Sequence, residues 1–219
     1  MTDVLERPET VGGEGDAPVE KVVKIDRRMV DRILIALGVV VAVVLAVAGA
    51  LLTWGSSFAE NYVRDELVAQ NISFPPAEAL LAEGRDDIAQ FGGQLVDSGV
   101  KAEAYASFIQ GHVANVADGA TYAELGGPER AARAAVQEAQ SAGASSAEIA
   151  ELQAAADTIT GQRETIFKGE MLRGTLLNTY AWSTIGQIAG IAAIAAFIGS
   201  ALMAVLVAAG LVHLRRIRT

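Results

Sequence analysis

Two long apolar runs divide the chain. Residues 33 to 54 (ILIALGVVVAVVLAVAGALLTW) hold 22 positions without a charge, and residues 185 to 212 hold another 28. A helix needs about 20 apolar residues to cross roughly 30 Å of hydrocarbon, so both runs are long enough to be membrane spans. Backbone at that depth must satisfy its own hydrogen bonds, which predicts two helices. At ~1.5 Å per residue the second would reach about 42 Å, more than the hydrocarbon thickness, and it is expected to tilt or protrude.

Between the runs, apolar positions recur at helical spacing. Phe58 to Gln70 can carry the first helix about 20 Å out of the bilayer. Phe74-Pro75-Pro76 stops it, because proline lacks an N–H and disfavours helix in the residue before it, while Pro76 suits the start of the next helix. Ile88, Phe91, Leu95 and Val96 share one helical face, with Ser98-Gly99 as its expected end. Tyr105, Phe108, Ile109, His112, Val113 and Val116 form the longest stripe, closed by Asp118-Gly119. Thr121 with Glu124 and Ser145 with Glu148 have capping-box spacing, and Gly127-Pro128 can start the Ala-rich helix between them. Ile149, Leu152, Ala156, Ile159 and Ile166 then keep a three-four spacing toward the second span. Strand-like alternation is lacking.

The pattern predicts an all-α membrane protein: two transmembrane helices in a hairpin, with an extracytoplasmic helical bundle domain between them, partly built from extensions of the spans. The segments are a cytoplasmic tail over 1–32, spans over 33–54 and 182–213, the outer domain over 55–181 and a basic tail over 214–219. The first 20 residues are rich in Gly, Pro and acids, which predicts disorder.

Charge orients the hairpin. Lys21, Lys24, Arg27, Arg28 and Arg32 precede the first span, and Arg215, Arg216 and Arg218 follow the second. Basic residues at span ends stay cytoplasmic, so both termini are expected inside the cell membrane and the loop 55–181 outside it. That loop carries 18 acidic and 8 basic residues, within a chain of net charge −9. Trp54 and Tyr62 beside the first span, and Tyr180 and Trp182 beside the second, are the expected interface anchors. Ala46-Val47-Ala48 and Ala48-Gly49-Ala50 resemble signal-peptidase sites, but some 32 residues, acids among them, precede the run and it continues to Trp54. A retained anchor is therefore expected.

Candidate chemistry is sparse. Cysteine is absent, which excludes disulfides and thiol chemistry. The two histidines, His112 and His213, fall on opposite sides of the expected membrane and cannot share a metal. His112, beside Phe108 in an apolar stripe, reads as a core or interface histidine. Asp86-Asp87 reads as a cap for the helix carrying Ile88. The sequence has no EF-hand, P-loop or dinucleotide fingerprint, and an acidic outer domain speaks against nucleic acid as a partner. No catalytic residue, cofactor or metal site is expected.

The stretch TIFKGEMLRGTLLNTYAWSTIG, from Thr165 to Gly186, fits a helix re-entering the membrane. Ile166, Leu172, Leu176, Leu177 and Tyr180 are its apolar members, and Glu164 with Lys168 and Glu170 with Arg173 are spaced for helix-surface ion pairs. Gly169 and Gly174 each cost about 1 kcal/mol in a helix interior relative to alanine, so they are expected to mark a kink or a close contact. Inside the spans, Gly38, Ala42, Ala46 and Ala50 recur every four residues, as do Ala192, Ala196, Ser200, Ala204 and Ala208, and Gly186 with Gly190 makes a GxxxG. Small residues at that spacing let helix backbones approach, so the spans are expected to pack on each other or on a partner. Gln187, near the outer end of the second span, can be wetted.

FPP at Phe74 to Pro76, TYAEL at Thr121 to Leu125 and IFKGEMLRGTLLNTYAWSTIGQIAGIAAIAAF from Ile166 to Phe197 together resemble a family of actinobacterial two-span membrane proteins of unknown function. The resemblance runs from the first span to the C-terminus and implies a bacterial membrane protein of this topology, with no catalytic residues to transfer. Members often carry a name implying an aromatic ring-opening dioxygenase. A non-haem iron site of that kind needs two histidines and a carboxylate together, and the outer domain supplies only His112. The expected function is a non-enzymatic scaffold or accessory subunit that presents its outer domain to an envelope protein partner, or that self-associates. The alternative is a ligand-sensing outer domain working through a separate signalling partner.

Overall fold

The computed structural model describes residues 27–216; residues 1–26 and 217–219, with the whole of the stretch predicted to be disordered and with Lys21, Lys24 and Arg218, lie outside the described residues. Helix accounts for 82% of the described residues, and there is no strand among them. Helix α1 covers Arg27–Gln70, α2 Ala77–Ala82, α3 Gly99–Ala114, α4 Gly126–Ser141 and α5 Ser146–Arg216, with a 3-10 turn at Ala89–Phe91. Both α1 and α5 are long and apolar enough to cross a membrane. Only 11% and 6% of their most apolar stretches are buried within the chain, so the large side chains there face outward.

Helix α5 is the axis of the molecule. Its 71 residues span about 107 Å at ~1.5 Å per residue, and α1, α3 and α4 each pack on it. Helix α1 runs unbroken through Phe58 to Gln70 and ends at Asn71, whose φ of 52° is left-handed. The chain passes Phe74-Pro75-Pro76 and resumes helix at Ala77, with Pro76 as the cap residue.

The helix expected over Ile88 to Val96 does not form. Gly92 lies against the backbone of Ala77, where a Cβ has no room, and Gly93 adopts a φ of +71°. Two adjacent glycines at such positions break a helix, and the backbone finds other partners. Phe74 N–H donates to the Gln94 carbonyl at 2.9 Å and Val96 N–H to the Ile72 carbonyl at 2.8 Å, around an isolated antiparallel bridge between Ser73 and Leu95. Ile88 and Val96 are buried all the same. They join Val63 and Leu67 of α1, Phe74, Leu80, Ala102 and Ala106 of α3, and Leu176 of α5 in one core.

Helix α3 approaches α5 through small residues. Gly99 starts α3, rather than ending a preceding helix, and lies against Ser183, while Gly169 of α5 lies against Val113. Gly169 therefore marks a close contact, whereas Gly174 has open space around it. The face of α3 turned inward is Ala102 and Ala106, both fully buried, with Tyr105, Phe108 and Ile109 partly buried around it. His112 is correspondingly exposed, which removes the core half of the core-or-interface reading of its stripe.

The first capping box closes in both directions and the second in one. Thr121 N–H donates to Glu124 Oε2 at 2.8 Å and Glu124 N–H to Thr121 Oγ at 3.3 Å, in the turn before α4; Glu148 N–H donates to Ser145 Oγ at 3.2 Å at the start of α5. The surface pairs Glu164–Lys168 and Glu170–Arg173 close at 3.3 and 3.0 Å.

Candidate functional site

The α1–α5 contact is the most extensive constellation in the molecule, and it is antiparallel. A Cβ on Gly38 would stand 2.8 Å from Val207, one on Gly49 3.0 Å from Phe197, one on Gly190 2.9 Å from Ser56 Oγ and one on Gly186 3.1 Å from Ala59. Ser200 Oγ crosses the seam and donates to the Ala42 carbonyl at 2.8 Å. Glycine and alanine at these positions bring the backbones close enough for that bond, which in an apolar layer has no water to compete with it.

The buried positions of α1 do not follow the predicted ladder in full. Ile35, Gly38, Ala42, Leu45, Gly49, Leu52, Ser56, Ala59 and Val63 line the seam at alternating three-four spacing, the repeat of a coiled coil. A strict spacing of four drifts round a helix with 3.6 residues per turn. Gly38 and Ala42 are therefore in the seam, Ala46 at its flank, and Ala50 exposed, with Gly49 in its place. On α5, Gly186 is buried, Gly190, Ala196 and Ser200 are half-buried, and Ala204 and Ala208 are exposed. Gln187 is exposed too.

The anchor residues fall into two groups. Trp54, Phe58 and Tyr62 form an exposed stack along α1, with ring centroids 5.8 and 6.1 Å apart. On α5 Trp182 is exposed and Tyr180 half-buried.

Above the seam, α4 is tied to α5 by a carboxylate that sequence reasoning missed. Glu129, nearly buried, accepts from Arg163 at 2.6 Å, from Arg133 at 2.8 Å and from Thr160 Oγ at 3.1 Å. The Arg163 guanidinium holds the Glu129 carboxyl below its ordinary range against the opposing effect of burial, with Thr160 and Arg133 adding to it. Arg163 also lies 4.0 Å over the Tyr122 ring and donates to the Tyr122 carbonyl at 3.2 Å. With both oxygens engaged, Glu129 is a clamp, not a free base. The pairing spans 34 residues of sequence, and no local pattern points to it.

Asp86-Asp87 does not cap a helix. Asp87 takes a two-pronged bond from Arg85 at 2.9 and 2.8 Å, which holds its carboxyl below the ordinary range, and Arg85 reaches on to Ser107 of α3. His112 Nδ1 lies 3.1 Å from the Phe108 carbonyl and Nε2 3.8 Å from Glu83. Among the described residues no three His, Cys, Asp or Glu side chains are grouped to hold a metal ion.

Several clefts accompany these contacts. One of about 240 Å³ lies over the Glu129–Arg163 pair beside Phe167. A mainly apolar one of about 460 Å³ is lined by Val113, Gly119, Tyr122, Ile166 and Glu170. A third, about 260 Å³, lies between the helices at the far end, lined by Asp31, Gly38, Val207 and His213. No known protein family, curated protein or solved structure matches the chain.

Proposed function

We propose that the chain is a two-span integral membrane protein of the bacterial cell membrane, with cytoplasmic termini and a helical bundle outside, acting as a non-enzymatic scaffold or accessory subunit. The observation that carries this reading is the continuity of α5. One unbroken 71-residue helix holds an apolar span and all the packing surfaces for α1, α3 and α4, so the outer helices are fixed in height and direction relative to the span. A rigid mount of that kind suits presentation of a surface to a neighbour. Tyr122, Phe167 and Met171 supply exposed apolar area on the outer part, next to the Glu129 clamp. The basic flanks of the two runs support the same topology. A sensor is the second reading, favoured by the apolar cleft beside Ile166, which has room for a small ligand.

Purification in mild detergent followed by mass spectrometry separates the two. A scaffold retains a protein at near-equal amount after washing, and loses it when Phe167 and Met171 are both changed to serine while helicity is unchanged. Recovery of the protein alone with a bound small molecule, released by Val113→Phe, would reject the scaffold in favour of the sensor.

A further inference from the structure

The antiparallel register aligns the two helices level by level. Gly38 meets Val207, Gly49 meets Phe197, and Ala59 meets Gly186, so partners stand at a constant sum of residue numbers. By that register Trp182 stands level with Val63 and next to the height of Tyr62. Trp54 is level with Ile191, nine residues farther down α5 and about 13 Å deeper at ~1.5 Å per residue. Trp54 and Trp182 therefore cannot mark one interface.

Three observations fix which of the two heights is the membrane surface. Helix α5 has no charge from Gly174 to Leu214, and α1 none from Ile33 to Ala59, a run of 27 residues that Glu60 ends. Such a run is about 40 Å long, the height of hydrocarbon together with its interfacial layers. Among the described residues only α1 and α5 are present between the two heights, and Trp54, Phe58, Ile185 and Ile188 all stay more than half exposed there. Finally, α3 comes down to this level and no further, since its first residue Gly99 rests on Ser183, and a Cβ there would stand 3.5 Å from Tyr180 Cα. A boundary at Trp54 would leave a two-helix neck with a collar of large apolar side chains in water.

We infer that the outer surface of the bilayer meets the protein at Tyr62 and Trp182, so that the neck is embedded, Trp54 and Phe58 contact acyl chains, and the outer domain sits directly on the lipid headgroups with Val100 at the base of α3. The inference rests on the two-span reading. It moves the outer end of the first span from Trp54 to the turn carrying Glu60 and Tyr62. The outer domain is then seated on the membrane, not held above it.

The chain has two tryptophans, so each can be isolated by Trp→Phe at the other, and Trp54→Phe keeps an aromatic ring against Phe58. Each single-tryptophan protein is reconstituted into phosphatidylcholine vesicles carrying bromines at defined acyl positions, after circular dichroism shows unchanged helicity. Trp54 is expected to be quenched most by mid-chain bromines and Trp182 by the shallowest, with depths about 13 Å apart. Quenching of Trp54 mainly by the shallowest bromines, with Trp182 open to aqueous acrylamide, would overturn the inference and leave two spans intact. If bromines quenched neither tryptophan, the two-span reading itself would fall.

Discussion

Leucine at both Gly186 and Gly190 is expected to open the outer half of the α1–α5 seam, at a cost of about 1–3 kcal/mol for each overpacked site. The first added carbon alone would stand 3.1 Å from Ala59 and 2.9 Å from Ser56 Oγ, and the rest of each leucine has no space between backbones this close. Relief requires the helices to separate. Separation would draw Ser56 and Ala59 away from Gly190 and Gly186, while the 2.8 Å bond from Ser200 to Ala42, in the inner half, would remain. Ala50→Leu is the matched control, since Ala50 is exposed and lies off the seam; it is expected to stay within about 0.5 kcal/mol of the parent. Thermal unfolding in detergent, followed by circular dichroism, reads both. Equal midpoints for the double variant and the control would show that the seam does not hold the helices together.

Leu80→Ala is expected to cost about 2–5 kcal/mol. Leu80 has no exposed surface and sits on the short helix α2 among Phe74, Ile88 and Val96, in a segment whose backbone hydrogen bonds mostly close single turns. Side-chain packing is what fixes such a segment, so a cavity there is poorly relieved by the surroundings. Chemical denaturation of the purified protein, with limited proteolysis between α1 and α3, measures the loss. A change below about 1 kcal/mol would mean that residues 71–98 are held by something other than this core.

Local physics was readable in the sequence, and long-range pairing was not. The apolar runs, the extension of α1 to Gln70, the Thr121–Glu124 capping box, the Ser145 cap and the ion pairs of α5 each depend on residues within one or two helical turns. Ile88, Phe91, Leu95 and Val96 have helical spacing and are yet not a helix, because Gly92 and Gly93 meet a tertiary demand, the backbone of Ala77, that no window around them reveals. The same holds for His112. Its stripe is genuine, but α3 turns its alanines to α5, because only small side chains allow the approach set by Gly99 and Gly169. In the apolar parts of α1 and α5 the composition showed that small residues would pack, and the facing helix's register decided which. Gly49 and Ser56 enter the seam while Ala50 and Ala204 leave it, since the contact repeats at three and four, not at four alone. Glu129 and Arg163 became a pair only once α4 had folded back on α5.

Topology is the claim on which the rest depends, and a chain without cysteine allows it to be measured cleanly. Single cysteines at Gln137, exposed on α4, and at Thr2 and Thr219 are probed in intact cells with a membrane-impermeant maleimide. The account predicts that Gln137→Cys reacts at once, and that Thr2→Cys and Thr219→Cys react only after permeabilisation. Labelling of either terminal cysteine in intact cells, or protection of Gln137→Cys, would contradict it.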